Sequence, residues 1–464
     1  MIPRFRAFIL IPLSVIVCFA TGLTARLAAQ DTRTVIEPIL PQLCTTLDAQ
    51  LQTAGSTLAP ADEQKLDTAR IQKAINRCGK TRAVLLRVNE DNNAFLTGPL
   101  ELKPEVTLIV GPGVTLFASR DASLYATSPG SCGIVSHTPG PRGCKPLISV
   151  DHAPGSAIMG NGVIDARGGE KMLGSQYSWW DLAEQARAGG GQQVPRIIVA
   201  DYSDNFTLYR ITLKNSPNFH VVYDHGDGFT VWGLKIDTPQ RLARNTDGVD
   251  PGDGARDITI THSYIRTGDD NVAIKGGTGG ATNITVSHDH FYWGHGMSIG
   301  SETNGGVSKI RVFDLSLDGP DNGIRIKSNG SRGGLTQDVV YDDVCIRNSP
   351  NPITFDTGYT AAGTLQGNSP PSMRDITLKD IRISGGGKFS FNGYAKDYRI
   401  AAALSGVQIT DEASYTYDLH HADLTLGPSP TNLHFPAGED STVSGAPAEG
   451  NPASCAEKFI PFPH

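Results

Sequence analysis

The sequence predicts an all-β protein, a single-stranded right-handed parallel β-helix with an N-terminal capping helix. Three observations lead to this fold. Helical periodicity is scarce outside one segment, short strand-like segments recur along the chain, and Gly, Asn and Asp turns separate them. A repeat of short strands without an internal helix is typical of a β-solenoid, in which each coil stacks on the one before it.

Seven segments carry the repeat, and one aliphatic or aromatic position can be aligned in each of them. The aligned positions are 23, 29, 26, 26, 29 and 37 residues apart, which fits coils of similar length with loops inserted at the corners. A β-propeller is the alternative fold, but its blades usually have a longer repeat. The aligned positions are Phe206, Phe229, Ile258, Ile284, Ile310, Val339 and Ile376.

Residues 1–29 have the pattern of a secretory signal peptide. Arg4 and Arg6 form a basic start, Ala7–Ala20 is mostly apolar, and small residues follow. The apolar stretch is short for a bilayer span, and a retained membrane anchor is the alternative. We therefore predict a secreted protein, extracellular or periplasmic and free of the membrane, whose residues 30–464 form one β-helix domain.

The two ends of a solenoid need covers, because exposed strand edges promote aggregation. The segment 67–78, DTARIQKAINRC, predicts an amphipathic helix that Asp67 can cap and that covers the N-terminal end. The tail of about 426–464 is rich in Pro, Gly and Ala, and we expect irregular structure there. The predicted buried face of the helix consists of Ile71, Ala74, Ile75 and Cys78.

Six cysteines follow the predicted signal peptide, and an even number in an exported chain indicates disulfides. Six cysteines allow 15 pairings. We expect Cys44–Cys78, Cys132–Cys144 and Cys345–Cys455, with free buried thiols as the alternative. Since the chain has no CxxC motif and no histidine-rich cluster, we predict no metal and no other cofactor.

The chain after residue 29 has 37 basic and 47 acidic residues, a net charge of −10. This balance argues against a general nucleic-acid binder. An anionic substrate would need a local basic cleft to overcome the negative field of the whole protein.

Four polar clusters fall on successive repeats. They are NTDGVD, GDDNVAIK, GHGMSIGS and GIRIKS, and we take Asp247, Asp269, His295 and Arg325 as equivalent points, 22, 26 and 30 residues apart. Residues one coil apart in a β-helix stack at the strand spacing of about 4.8 Å. The clusters should therefore form one ladder on one face of the solenoid.

Asp269 and Asp270 are adjacent, yet both carboxylates can reach this ladder, because Gly268 places them where the chain leaves a turn. Together with Asp247 they form a crowded group whose pKa values should move apart. An acid and a base of the same residue type are what inverting glycoside hydrolysis requires. A solvated turn is the ordinary role of such a pair, and the other clusters in register argue against it.

Arg325 and Lys327 lie two residues apart and therefore on the same face of a strand. Two cations beside carboxylates would bind an acidic sugar through charge-assisted hydrogen bonds. An exposed ion-pair network is the alternative. The combination indicates a polyuronate substrate.

The motifs NTD, DD, GHG and RIK, in this order, resemble those of the family 28 glycoside hydrolases, the polygalacturonases. The likeness extends to GNGVIDARGG and NSPNFH and covers about residues 44–400. It implies a right-handed parallel β-helix that hydrolyses the α-1,4 bonds of galacturonan (pectin) with inversion and without a metal.

The resemblance also implies a role for each matching residue. Asp269 resembles the general acid, and Asp247 and Asp270 resemble the pair that activates the water. His295 is similar to the residue that supports the ionisation state of the acid. The residues similar to substrate contacts are Arg325, Lys327, Tyr359, by a looser alignment, and Asn245 of the NTD motif.

Two other functions fit the same scaffold. A calcium-dependent pectate-type lyase would use the aspartates as calcium ligands, but it leaves the histidine between two glycines without a role. A non-enzymatic adhesin has no use for four reactive clusters. Within the family, a rhamnogalacturonan or xylogalacturonan hydrolase is the alternative. We expect the protein to be a monomer. The long loops Ser128–Gly143, Gly169–Gly191 and Tyr359–Pro371 slightly favour exo action.

Overall fold

The computed structural model is a parallel β-helix, and it describes residues 30–138, 140–360, 368–410, 414–436, 438 and 440–463. The predicted signal peptide lies outside these residues. Strands of successive coils pair in parallel along the solenoid, which excludes the alternative of antiparallel propeller blades.

The first side of the coil carries the longest ladder. Within the described residues it consists of fourteen strands: Gln42–Asp48, Arg82–Arg87, Val106–Val110, Ala157–Met159, Phe206–Tyr209, Asp227–Trp232, Ala255–Thr261, Ala281–Phe291, Val307–Asp318, Leu335–Arg347, Ser372–Ser384, Ile400–Ser405, Ala422–Leu426 and Thr442–Ser444.

The second side has shorter strands and continues through the C-terminal halves of the four long strands between 281 and 384. Its own strands are Ala94–Thr97, Thr115–Ala118, Val163–Asp165, Thr212–Lys214, Lys235–Asp237, Tyr264–Arg266 and Gln408–Ile409.

The third side is a separate sheet, here called the site sheet. Its eleven strands in the described part of the chain are Leu100–Glu101, Ile148–Asp151, Ile198–Asp201, Val221–Asp224, Val249–Pro251, Val272–Ile274, Met297–Ile299, Asn322–Lys327, Asn351–Asp356, Gly387–Asn392 and Tyr415–His420.

The remaining elements are short. Two antiparallel pairs join Ile134–Ser136 to Gly191–Gln193 and Thr53–Ala54 to Thr57–Leu58. The α-helices are Thr68–Arg77, Ala122–Tyr125 and Trp179–Gln185, and the 3-10 turns are Pro60–Asp62, Ala186–Ala188 and Ala456–Lys458.

The repeat read from the sequence is the register of the first side. Each of the seven aligned positions pairs with the next along the ladder, from Phe206 opposite Phe229 to Val339 opposite Ile376. All seven side chains are buried in one continuous apolar core. The rings of Phe206 and Phe229 stack at 5.5 Å between centroids. The register therefore follows from the burial of one side chain per coil.

The helix Thr68–Arg77 forms where it is predicted, and Ile71, Ala74 and Ile75 are buried in the main core. The prediction that the Asp67 side chain caps this helix is wrong. Asp67 is at the N-cap position, but its carboxylate instead accepts hydrogen bonds from Leu96 N at 2.9 Å and from Arg70. That the helix covers the N-terminal end of the solenoid stays a prediction.

The three disulfides pair as expected: Cys44–Cys78, Cys132–Cys144 and Cys345–Cys455. The last joins the tail to a long strand of the first side. The tail after residue 426 is mostly irregular in its described part, except for Thr442–Ser444 and Ala456–Lys458. No helix among the described residues has the length and apolar character to cross a membrane.

One buried carboxylate in the coil, Asp289, forms no ion pair with any residue that the structure describes. Asp289 is inaccessible to solvent, its Oδ1 accepts a 2.6 Å hydrogen bond from Ser263 N, and its Oδ2 has no hydrogen-bond partner among the described residues. Burial raises the pKa of Asp289 to about 8. This pKa lies above that of the unfolded chain. The contribution of protonated Asp289 to the free energy of unfolding is therefore fully present below about pH 4 and is lost as the pH rises to about 8.

We expect Asp289→Asn to remove this pH dependence, since the amide keeps an acceptor for Ser263 N and does not ionise. The variant should therefore become more stable relative to the unchanged protein as the pH rises. The difference in their free energies of unfolding should increase by a few kcal/mol between about pH 4 and pH 8. Denaturant titrations across this range measure the difference. A constant difference at all pH values would show that Asp289 is ionised without penalty.

Candidate active site

The four polar clusters stand at the start of consecutive strands of the site sheet. Val249, Val272, Met297 and Ile324 pair in register, and the residues two positions before them are Asp247, Asp270, His295 and Asn322. The equivalence expected from the sequence is therefore displaced by one residue at Asp269. It is displaced by three at Arg325, which pairs with Ser298. Because the loops between the coils differ in length, this register cannot be found by counting residues in the sequence.

The adjacent aspartates do reach one place, as predicted. Asp270 N donates a 2.9 Å hydrogen bond to Oδ1 of Asp269, which holds the first carboxylate over the start of the strand. Oxygens of Asp269 and Asp270 and a ring nitrogen of His295 lie within 4.8 Å of one another. Adjacent side chains of an ideal strand point to opposite faces, but the turn after Gly268 lets those of Asp269 and Asp270 point to the same place.

Asp270 is buried beside two cations. Its Oδ2 accepts a 2.6 Å hydrogen bond from Lys327 Nζ, its Oδ1 accepts one of 2.7 Å from Ser298 Oγ, and Arg325 lies at 3.5 Å. Burial favours the protonated form, but the positive charges of Lys327, Arg325 and His295 together hold the pKa of Asp270 below its usual range. Asp270 is therefore a carboxylate at neutral pH.

Asp269 and His295 form a coupled pair. Nδ1 of His295 lies 3.0 Å from Oδ1 of Asp269, and Nε2 lies 3.4 Å from Oδ2 of Asp321. Burial alone would lower the pKa of His295, but the hydrogen bonds with Asp269 and Asp321 raise it to about 10. Burial opposes ionisation of Asp269, and the hydrogen bond from His295 keeps its pKa below the usual range. The proton of the pair therefore lies on the imidazole.

Asp247 shares a cation with Asp250. Lys275 Nζ lies 3.1 Å from Asp247 and 2.9 Å from Asp250, and one oxygen of each carboxylate is buried without a hydrogen-bond partner in the described part of the chain. Burial raises the pKa of Asp247 well above its usual value, against the charge of Lys275. Burial also raises the pKa of Asp250 to about 6. Asp247 therefore holds its proton more tightly than Asp269 or Asp270.

The expected divergence of the three carboxylate pKa values is thus confirmed. The order differs from the one that the expected roles require, because Asp247, not Asp269, keeps the proton. The reason is that Asp269 has a histidine beside it, whereas Asp247 shares one lysine with Asp250.

Three of the four expected substrate contacts lie together. The ring centroid of Tyr359 is 5.2 Å from the guanidinium of Arg325 and 5.1 Å from Nζ of Lys327. Asn245 occupies a left-handed turn position, with φ of 55°, two residues before Asp247. Its side chain has no hydrogen-bond partner in the described part of the chain.

Sequence reasoning assigned no role to four residues of this site: Asp250, Lys275, Ser298 and Asp321. Asp250 and Lys275 carried a usable signal, because the first is a charge inside a short buried strand and the second follows one directly. Ser298 and Asp321 had none, since their contacts with Asp270 and His295 cross 28 and 26 residues.

One group of side chains in the described residues has the composition of a metal site. It consists of Asp269, Asp270 and His295. Their partners argue against a cation. Lys327 and Arg325 already neutralise Asp270, and His295 holds a proton on the nitrogen that faces Asp269. The donor set fits proton transfer better than metal binding.

Closely spaced carboxylates of divergent pKa are the groups that glycoside hydrolysis uses, and here they lie beside a cation pair on a β-helix. Residues 78–421 match the model of the glycosyl hydrolases family 28, and the protein belongs to this family. It is therefore a glycoside hydrolase.

Relatives of known activity extend over most of the chain. An endo-polygalacturonase of Pectobacterium carotovorum subsp. carotovorum is 43% identical over 390 residues, which cover 83% of this chain and 92% of that protein. A polygalacturonase of Ralstonia nicotianae is 36% identical over 497 residues, and 92% of each chain is covered. A polygalacturonase structure from Erwinia carotovora ssp. carotovora superposes with a TM-score of 0.78 at 40% identity, covering 85% of this chain and 99% of that one.

The pKa of His295 provides a test of its contacts with Asp269 and Asp321. We expect Asp321→Asn to lower this pKa from about 10 toward the usual value near 6.5, because one of two flanking carboxylates is removed. NMR titration of labelled histidine measures it. Asp314→Asn is the matched control, since Asp314 contacts His288 at 2.5 Å. An unchanged His295 in Asp321→Asn would contradict the assignment.

Lys275 should be essential for stability. Lys275→Met leaves two buried carboxylates without their ion-pair partner, and we expect the free energy of unfolding to fall by about 3–5 kcal/mol near neutral pH. Adding Asp250→Asn should restore part of the loss. Lys309→Met, at an exposed position, is the control and should change stability by less than about 0.5 kcal/mol. A variant as stable as the control would exclude a charged Lys275.

Proposed function

We propose that the protein is a secreted polygalacturonase that hydrolyses the α-1,4-galacturonosidic bonds of homogalacturonan, the acidic polymer of pectin, with inversion. The observation that carries this proposal is the arrangement of Asp247, Asp269 and Asp270, each beside its own cationic partner. Its chemistry agrees with the activity by which the relatives are named.

The substrate class follows from the cations at one end of the carboxylate group. Arg325 and Lys327 lie beside Tyr359, and Arg325 keeps donors that Asp270 does not use, since one nitrogen approaches it at 3.5 Å. A guanidinium fork and an ammonium bind a sugar carboxylate, while the ring packs against the sugar. A neutral sugar in this position would leave both charges without a ligand.

Asp270 is the proposed base. It is ionised in the free protein, and it can accept a proton from the water that attacks the anomeric carbon. The unpartnered Oδ1 of Asp247 is available to hold the same water. One ionised carboxylate is sufficient for this step, so the proton on Asp247 does not prevent it.

The proposed acid is the Asp269–His295 pair rather than Asp269 alone. Nδ1 of the His295 imidazolium lies 3.0 Å from Oδ1 of Asp269, and its proton can pass through this oxygen to the leaving oxygen as the glycosidic bond breaks. The water then supplies hydroxyl to the sugar, and its proton stays on Asp270. Asp321 keeps the pair protonated at neutral pH.

The role assignment has a direct test in the leaving group. Asp269→Asn, Asp247→Asn and Asp270→Asn should each lower hydrolysis of polygalacturonate by about 10²–10⁴-fold. With an oligogalacturonide carrying an aryl leaving group, Asp269→Asn should regain most of its rate, because that group departs without a proton. If Asp247→Asn recovers instead, the proton on Asp247 is the acid and the two roles exchange.

Endo action is the mode we propose, after the relative that is 43% identical. The sequence alone slightly favoured exo action, on the lengths of three loops. Part of one of them, 361–367, lies outside the described residues. The same proposal includes a monomer without a membrane anchor.

The activity assay uses polygalacturonate without methyl esters, in the presence of a metal chelator. We expect new reducing ends, mixed oligomers early in the reaction and no ultraviolet absorbance from unsaturated sugars. Absorbance that rises only without chelator would establish the calcium-dependent lyase instead. If the protein cleaves only rhamnogalacturonan or xylogalacturonan, the proposed substrate is wrong and the family assignment is unchanged.

A further inference from the structure

The last residues of the C-terminal tail are held against the second side of the solenoid. The Cys455–Cys345 disulfide and a 2.6 Å ion pair between Lys458 and Asp343 fix the point at which this segment begins. Chain termini usually lack fixed structure unless specific contacts hold them down. The segment after Lys458 therefore starts from a defined place on the coils.

This segment runs toward the N-terminal coils and contacts the ends of strands on the second side. The ring centroid of Phe459 lies 4.3 Å from the guanidinium of Arg347. Tyr292 OH donates a 3.1 Å hydrogen bond to Ile460 O. The rings of Tyr292 and Phe462 meet edge to face, with 5.3 Å between their centroids. The tail therefore brings Phe462 close to the coils that carry the candidate active site.

Phe462 lies over the guanidinium of Arg266. This guanidinium is 3.9 Å from the ring centroid of Phe462 and 4.6 Å from that of Trp293. Arg266 Nε donates a 2.7 Å hydrogen bond to Asp237 Oδ1, and Trp293 Nε1 donates one of 3.0 Å to Thr238 O. Because one cation contacts two aromatic rings and a carboxylate, Arg266 and Trp293 hold each other in a fixed position.

Arg266 and Trp293 lead into the two turns of the candidate active site. Arg266 is three residues before Asp269, and Trp293 is two residues before His295. His295 N donates a 2.8 Å hydrogen bond to Asp269 O, and the side chains of the same two residues lie 3.0 Å apart. A movement of Arg266 relative to Trp293 would therefore move one turn relative to the other.

Asn271 joins the same two turns on their buried side. It directly follows Asp270 and is inaccessible to solvent. Its Nδ2 donates a 3.1 Å hydrogen bond to Trp293 O, and its Oδ1 accepts one of 2.9 Å from Gly296 N. The candidate catalytic turns and Trp293 thus form one hydrogen-bonded unit, and the tail contacts this unit through Arg266.

We propose that Phe462 is a positioning residue of the active site, which acts through Arg266 and Trp293 to hold the turn of Asp269 against the turn of His295. The inference rests on the proposed function, because it takes these two turns as the part of the protein that delivers the proton in hydrolysis. The C-terminal tail, which the disulfide ties to the coil of Cys345, is then a part of the catalytic unit.

Steady-state kinetics on polygalacturonate test this role. Phe462→Ala should lower kcat about 10- to 100-fold, because a small misplacement of reacting groups has an effect of this size. KM should stay within about twofold, since the residues proposed to bind the substrate are unchanged. Phe462→Tyr keeps the aromatic ring and should retain most of kcat.

Phe459→Ala is the matched control. It removes an aromatic ring from the same tail and a contact of the same kind, because Phe459 lies over Arg347 as Phe462 lies over Arg266. Arg347 leads into a strand of the site sheet that carries none of the candidate catalytic residues. Phe459→Ala should therefore keep kcat within about twofold of the unchanged protein.

The pKa of His295 provides a second readout that needs no substrate. In Phe462→Ala this pKa should fall from about 10 toward 6.5, because His295 then lies farther from Asp269. In Phe459→Ala it should not change. NMR titration of labelled histidine measures both variants.

Two results would overturn the inference. One is a Phe462→Ala variant that keeps both kcat and the pKa of His295. The other is an equal loss in Phe459→Ala, which would show that the tail contributes only to overall stability. If the unchanged protein does not cleave polygalacturonate, but the pKa of His295 falls in Phe462→Ala alone, the proposed function fails and the positioning role stands.

Discussion

The structure depends on the parallel pairing of each coil with the next. One buried aliphatic or aromatic side chain per coil fixes the register, as the pairing from Phe206 to Ile376 shows. A slip of one residue would turn the core positions outward and the polar positions inward. The same register, carried round the coil to the site sheet, places Asp247, Asp270 and His295 on consecutive strands. The core therefore sets the spacing of the candidate catalytic groups.

Charge balance within the site explains how three carboxylates remain close together. Each has a partner of its own: Lys327 for Asp270, His295 for Asp269 and Lys275 for Asp247. Buried carboxylates without cations would protonate, as Asp289 shows. Because the partners differ in type and in how many carboxylates they serve, the pKa values diverge. The protein thus obtains an ionised carboxylate at Asp270 and a protonated histidine at His295.

A protein of net negative charge that acts on a polyanion needs positive charge where the substrate lies. On the site sheet, cations lie beside the carboxylates and are engaged with them. Lys327 contacts Asp270, and Lys275 contacts both Asp247 and Asp250. Arg325 lies 3.5 Å from Asp270. Positive charge is therefore concentrated around the candidate catalytic carboxylates.

The sequence by itself determined the solenoid, the repeat register of its first side and the motifs of the site, because these follow from local periodicity and residue type. The expected disulfide pairing was one of 15, and the folded chain decides it by bringing the cysteines together. The sequence did not determine which residues share a coil position at the site. Insertions at the corners displaced Asp269 by one residue and Arg325 by three, and only the hydrogen-bonded strands reveal this. The partners Lys275, Ser298 and Asp321 likewise come from other coils. The same holds for the proton on Asp247, since burial and neighbouring charge are properties of the folded chain.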